Sequence, residues 1–158
     1  MKKYIFTIMA FVTIGVFAQT KNMAPNGKII RLSTLANLEL IKLDSLYLSA
    51  VSIDTSKCAF PNKSDSVAIC FGKFMESLNK ELTRNNFKWQ KETRGFIRCY
   101  FNENGNIDYF TYDIKDTSFA QYKEFEGALK DFVSSYNFGL KCDKKYSQCG
   151  SGPFGRKK

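Results

Sequence analysis

Residues 98–114, RCYFNENGNIDYFTYDI, restrict the folds open to this chain more than any other stretch. Residues 95–102 and 106–114 alternate between two side-chain sets, as strands do. The intervening NENGN has Asn104-Gly105 at its tip, a pair that tolerates the positive φ of a tight hairpin turn. Two registers fit. A two-residue type I′ turn puts Phe101 opposite Asp108. A type I turn with Gly105 left-handed puts Phe101 opposite Ile107. The second gathers Ile97, Cys99, Phe101, Ile107 and Tyr109 on one face and leaves Phe96, Arg98, Tyr100, Phe110 and Tyr112 on the other. In either register neither face is wholly polar. One face is expected to pack on helices and the other to stay aromatic and amphipathic.

The flanking sequence supplies the helices. From Ser64 or Asp65, apolar residues recur at Val67, Phe71, Phe74, Leu78 and Leu82, a helical spacing, and Asn85-Asn86 suits a left-handed C-cap. Thr117 or Ser118 caps a second helix whose stripe is Tyr122, Phe125, Leu129, Phe132 and Tyr136. Gly127 in its middle costs about 1 kcal/mol relative to Ala, so it is expected to mark close packing on the sheet. Trp89 reads as a core or edge anchor. NFGLKC and KYSQCG are short strand candidates. Residues 33–53 admit a helical stripe through Ala36, Leu40, Leu43, Tyr47 and Val51, with a strand over the second half left open. The fold class expected is α+β: an antiparallel sheet built on the central hairpin and packed on one face by two or three helices.

The first residues, MKKYIFTIMAFVTIGVFAQT, have Lys2 and Lys3 before an apolar run, with Val16 and Ala18 at the −3 and −1 positions of a cleavage site. Residues 1–18 are therefore read as a signal peptide and the mature chain as secreted or periplasmic, with no membrane span once the signal is removed. Residues 19–63 form a helical N-terminal extension, 64–150 the α+β core, and 151–158 a flexible basic tail. The formal charge of +9 includes Lys2 and Lys3, which the signal takes away, and Arg156, Lys157 and Lys158 in the tail. The body is left mildly basic with interleaved charges, so no nucleic-acid partner is expected.

The chain has five cysteines and no histidine. Without histidine, the usual hydrolytic triads and His-containing zinc sites are ruled out. Asp108 and Asp113 have opposite parity on one strand, which argues against a carboxylate dyad, and Arg98 and Cys99 point to opposite faces. No cofactor or metal is expected. In an oxidising compartment at least one disulfide is expected at Cys149, to pin the late strand. Cys58 is the chosen partner because it lies in a long loop free to reach the sheet.

The order helix, strand, tight turn, strand, helix, strand from Ser64 onward resembles the C-terminal domain of TonB-type proteins. The matching pieces are GFIRCYF (95–101), NGNIDYF (104–110) and KEFEGALKDFVSSYNF (123–138). The family's Tyr-Pro pair, transmembrane anchor and Pro-rich spacer are missing, so its energy-coupling role is not implied. The chain is also similar to small secreted proteins of unassigned function from Bacteroidetes-type bacteria, through Phe87-Lys88-Trp89, the hairpin from Tyr100 to Phe110, and Gln148-Cys149. With no catalytic set in the sequence, the expected function is that of a non-enzymatic binding module of the cell envelope, recognising a protein or peptide through an aromatic sheet face or an open sheet edge. Arg98, Tyr100, Phe110 and Tyr112 are the candidate recognition surface. A glycan-binding module, or a small secreted enzyme using carboxylates or a cysteine, is the alternative.

Overall fold

The computed structural model of the protein describes residues 27–115 and 117–154. The expected signal peptide and residues 155–158 of the expected tail lie outside the described residues.

The hairpin forms from β3 (Thr93–Phe101) and β4 (Ile107–Ile114). Gly105 sits at φ +84 and its N–H donates to the Asn102 carbonyl at 2.9 Å, closing a type I turn. Phe101 pairs with Ile107, the second of the two expected registers. The next pair, however, is Tyr100 with Tyr109, so Asp108 is an extra residue in a β-bulge. One inserted residue reverses every side chain beyond it. Tyr109 therefore joins Tyr100 on one face, while Phe110 and Tyr112 stand opposite Cys99 and Ile97 on the other. The face assignments expected for Tyr109, Phe110 and Tyr112 are corrected accordingly.

Strand β5 (Tyr146–Phe154) pairs antiparallel with β3 from Phe101↔Tyr146 to Thr93↔Phe154. Residues 151–154, expected in a flexible tail, are thus strand. Two short strands complete the sheet: β1 (Lys28–Arg31), parallel to β4, and β2 (Leu48–Ser49), parallel to β5. The order is β1-β4-β3-β5-β2, so the sheet is mixed rather than antiparallel. Both edge strands come from the segment expected to be a helical extension.

That topology dictates what joins them. The chain leaves one edge at Arg31 and re-enters at the opposite edge at Leu48. Five strands are spanned by about 19 Å at ordinary strand spacing. A 3-10 turn (Leu32–Thr34) and α1 (Asn37–Leu46) make the crossing. Ten helical residues extend about 15 Å. Helix α1 and the following Tyr47 lie over the face that carries Arg98, Tyr100 and Tyr109.

Helices α2 (Ser64–Arg84) and α3 (Phe119–Ser135) cover the other face. The Ser118 side chain accepts from the Gln121 N–H, and Asn86 adopts φ 54 just past α2, so the expected caps form. Val67, Phe74, Leu78 and Leu82 of α2 and Phe125, Leu129 and Phe132 of α3 are buried against Ile97, Cys99, Phe110 and Tyr112. Phe74 is the hub, with ring centroids of Phe110, Phe132 and Tyr136 at 6.4, 5.6 and 5.3 Å. Trp89 packs on Phe125 and Phe154. The expectation for Gly127 fails: a Cβ there would meet nothing within 4 Å. Close approach to a helix occurs instead at Gly150 of β5, where a Cβ would lie 2.5 Å from the Phe71 ring. The result is three layers, with helix on both faces of the sheet rather than one. Among the described residues no helix is long and apolar enough to cross a membrane.

Candidate binding surfaces

The four residues expected to form a recognition surface do not share a face. Phe110 and Tyr112 project among α2 and α3, and the Tyr112 hydroxyl donates to Glu126 at 2.6 Å. Arg98 and Tyr100 project to the opposite face, where α1 and Tyr47 cover them. Tyr100, Phe110 and Tyr112 are each 0% exposed, and Arg98 is half-buried. The aromatic outer surface expected of the hairpin is therefore an interior layer.

What holds that layer together is polar. Asp44 of α1 accepts from Arg98 Nη1 through both carboxylate oxygens at 2.8 Å and from the Tyr100 hydroxyl at 2.9 Å. Tyr47 stands edge-on to Tyr100 and Tyr109 at 5.1 and 6.2 Å. Its hydroxyl donates to the buried Asp108 at 2.7 Å, and Lys145 approaches the same carboxylate at 3.4 Å. The bulge thus gives Asp108 a partner on each side, as a buried carboxylate requires. Burial, followed by the hydrogen bond to Asp44, pushes the Tyr100 phenol up to about 12. Burial and Asp108 hold the Tyr47 phenol still higher, so both rings act as neutral donors to carboxylates. These interactions tie α1 to the sheet, leave Tyr100 no exposed surface and commit the Arg98 guanidinium to Asp44.

The cysteines are all free thiols. Cys58 bridges Ser49 on the side of β2 away from β5, while Ser49 pairs with Ser147 on the other. Two strand spacings, about 10 Å, plus two residues along β5 separate Cys58 from Cys149. A disulfide needs Cα atoms within about 7 Å. The expected Cys58–Cys149 bridge is out of reach in this fold. Cys99 is fully buried, and burial raises its thiol well above the ordinary range; Cys149 is exposed. Among the described residues no group of three or more His, Cys, Asp or Glu side chains could hold a metal ion.

Two open surfaces among the described residues bear on binding. The first is the outer edge of β5. The N–H groups of Leu48 and Ala50 donate to the carbonyls of Lys145 and Ser147 at 3.1 and 2.7 Å. Odd-numbered residues of β5 therefore turn their backbone groups away from β3. β2 stops at Ser49, so past Ser147 the N–H and C=O of Cys149 and Ser151 face outward, and among the described residues no strand lies beside them. Gln148 Nε2 reaches the Cys149 carbonyl at 3.0 Å. Pro153, which has no N–H, falls at an outward position, where none is needed.

The second is a groove of about 520 Å³ between β1, the turn after it and the first half of α3. The Arg31 guanidinium lies 4.5 Å from the centroid of Tyr122. No sequence pattern singled out this groove. Its signal, the basic residues at the two ends of the short run KIIR, is indistinguishable from ordinary surface charge. No protein-family model, curated protein or solved structure matches the chain.

Proposed function

We propose that the protein is an exported binding module of the cell envelope that takes up a protein or peptide partner by strand addition. The aromatic face of the hairpin is not the contact surface, because α1 and Tyr47 cover it. The observation that carries the reading is the open outer edge of β5, where Cys149 and Ser151 offer backbone donors and acceptors. Unpaired strand edges are templates for another chain. Gly152, where a Cβ would meet nothing within 4 Å, keeps side-chain bulk off this part of the strand.

The test uses Ser151→Pro, which removes one outward N–H and no bond to β3. Mature protein and variant are compared by capture from envelope extract and from cell-wall polysaccharide, with circular dichroism as the check on folding. Capture of a discrete polypeptide by the unaltered chain, lost in the folded variant, is the expected result. Equal capture by both, or retention on polysaccharide alone, would remove strand addition at β5 from consideration.

A further inference from the structure

The groove beside β1 is a different surface from the β5 edge and lies across the full width of the sheet from it. Its charges are unevenly matched. Both acids in its lining are engaged: Glu126 accepts from the buried Tyr112 hydroxyl, and Glu39 accepts from the Ala36 N–H at 3.3 Å. The cations are not. Among the described residues no carboxylate lies within 4.0 Å of Arg31, Lys28 or Lys123. Arg31 Nε is buried with no hydrogen-bond partner. The guanidinium is thus desolvated on one side by Tyr122 and the strand, and among the described residues no carboxylate pairs with it directly. Such a cation attracts an anion more strongly than a fully hydrated one. The remaining wall is apolar or aromatic: Ile29 and Ile30 are half-buried, and Phe119 is 66% exposed with Lys123 Nζ 4.9 Å from its ring centroid.

We propose that this groove binds an organic carboxylate carrying an apolar or aromatic body, with Arg31 as the partner of the carboxylate and Phe119 as the platform for the body. The carboxylate bonds the terminal nitrogens of the guanidinium, whose plane is fixed by stacking on Tyr122. Lys28 and Lys123 at the rim add attraction that salt screens. A free organic acid and the C-terminus of a peptide share this chemistry.

The experiment titrates the full mature chain with N-acetyl-phenylalanine and with the corresponding uncharged amide, following the Arg31 Nε–H and the β1 amides by NMR. An acetylated tripeptide ending in phenylalanine forms the second arm. Saturable shifts with the acid are expected, with affinity roughly tenfold weaker for the amide and for Arg31→Gln, a difference typical of one charge-assisted pair. Lys123→Gln should weaken binding a few-fold, and added salt should weaken it further. Tighter binding of the tripeptide identifies a peptide C-terminus as the source; equal binding identifies a free acid. Equal affinity for acid and amide overturns the proposal, as does unchanged binding by Arg31→Gln or the absence of shifts up to about 10 mM. Should Arg31→Gln not fold, the acid–amide comparison on the unaltered chain decides alone.

Discussion

At Asp108 a single residue decides which side of the sheet half a strand faces. Because of that bulge, Phe110 and Tyr112 belong to the layer of α2 and α3, and Tyr100 lies beneath Tyr47. We therefore expect Tyr100→Ser, Phe110→Ser and Tyr112→Ser each to lower the unfolding free energy by about 3–5 kcal/mol, the range for emptying an aromatic core site. An exposed aromatic residue would give changes within about 0.5 kcal/mol. Urea melts distinguish the two, and a near-neutral result at Tyr100 would mean that α1 does not cover it in solution. The alternation of the hairpin and its Asn104-Gly105 turn were legible in the sequence, and the register that forms is one of the two that fitted it. The bulge was not. Strict alternation over 106–114 is equally compatible with one inserted residue, because what pins Asp108 is the hydroxyl of Tyr47, which arrives from a distant segment.

Among the elements, α2 and α3 were readable from apolar stripes that match a helical face, and both sit where those stripes require. The edge strands were not, because four residues and two residues are too short to display any period. α1 shows the same difficulty from the helical side. Leu38 and Ile41 are 78% and 64% exposed, and none of its ten residues is buried. Its hold on the sheet comes from Asp44, bonded to Arg98 and Tyr100, and from Tyr47 just beyond its end. A helix with no fully buried residue of its own, Leu40 and Leu43 being only partly covered, can open without emptying the core. Native-state hydrogen exchange should find the amides of α1 exchanging through local opening, at rates well above those of β3 and α2, and Asp44→Asn should speed α1 alone. Exchange of α1 in step with β3 would show the three layers to be one cooperative unit.

Across the whole molecule, phenols are used as buried donors on both faces of the sheet. Tyr47 and Tyr100 serve one face, Tyr112 and Tyr146 the other, and burial raises all four above their ordinary range. The sign of the pH dependence is set by that rise. In the unfolded chain these groups lose protons near pH 10, while the folded chain keeps them protonated to about 12 for Tyr100 and beyond for the rest. Their contribution is complete below pH 10 and is lost progressively above it, through about 12 for Tyr100 and higher still for the other three. Alkaline titration followed by tyrosinate absorbance should show only part of the eight tyrosines ionising near 10. The remainder should appear together with the loss of circular dichroism. Smooth ionisation of all eight while the fold persists would place the four phenols in water.

The sheet order also sets a sequence of events in time. β1 is the first strand among the described residues, yet its neighbour is β4, with Lys28 beside Tyr109, and β2 must wait for β5, the last of the five. As the chain emerges residue by residue, the two outer strands and α1 are synthesised with nothing to join. The hairpin of β3 and β4 is the one pairing between strands adjacent in the chain, so it is the natural place for assembly to begin, with the earlier segment closing over it afterwards. Sheet order therefore favours a course in which the edge strands β1 and β2, which precede the hairpin in the chain, are secured after it.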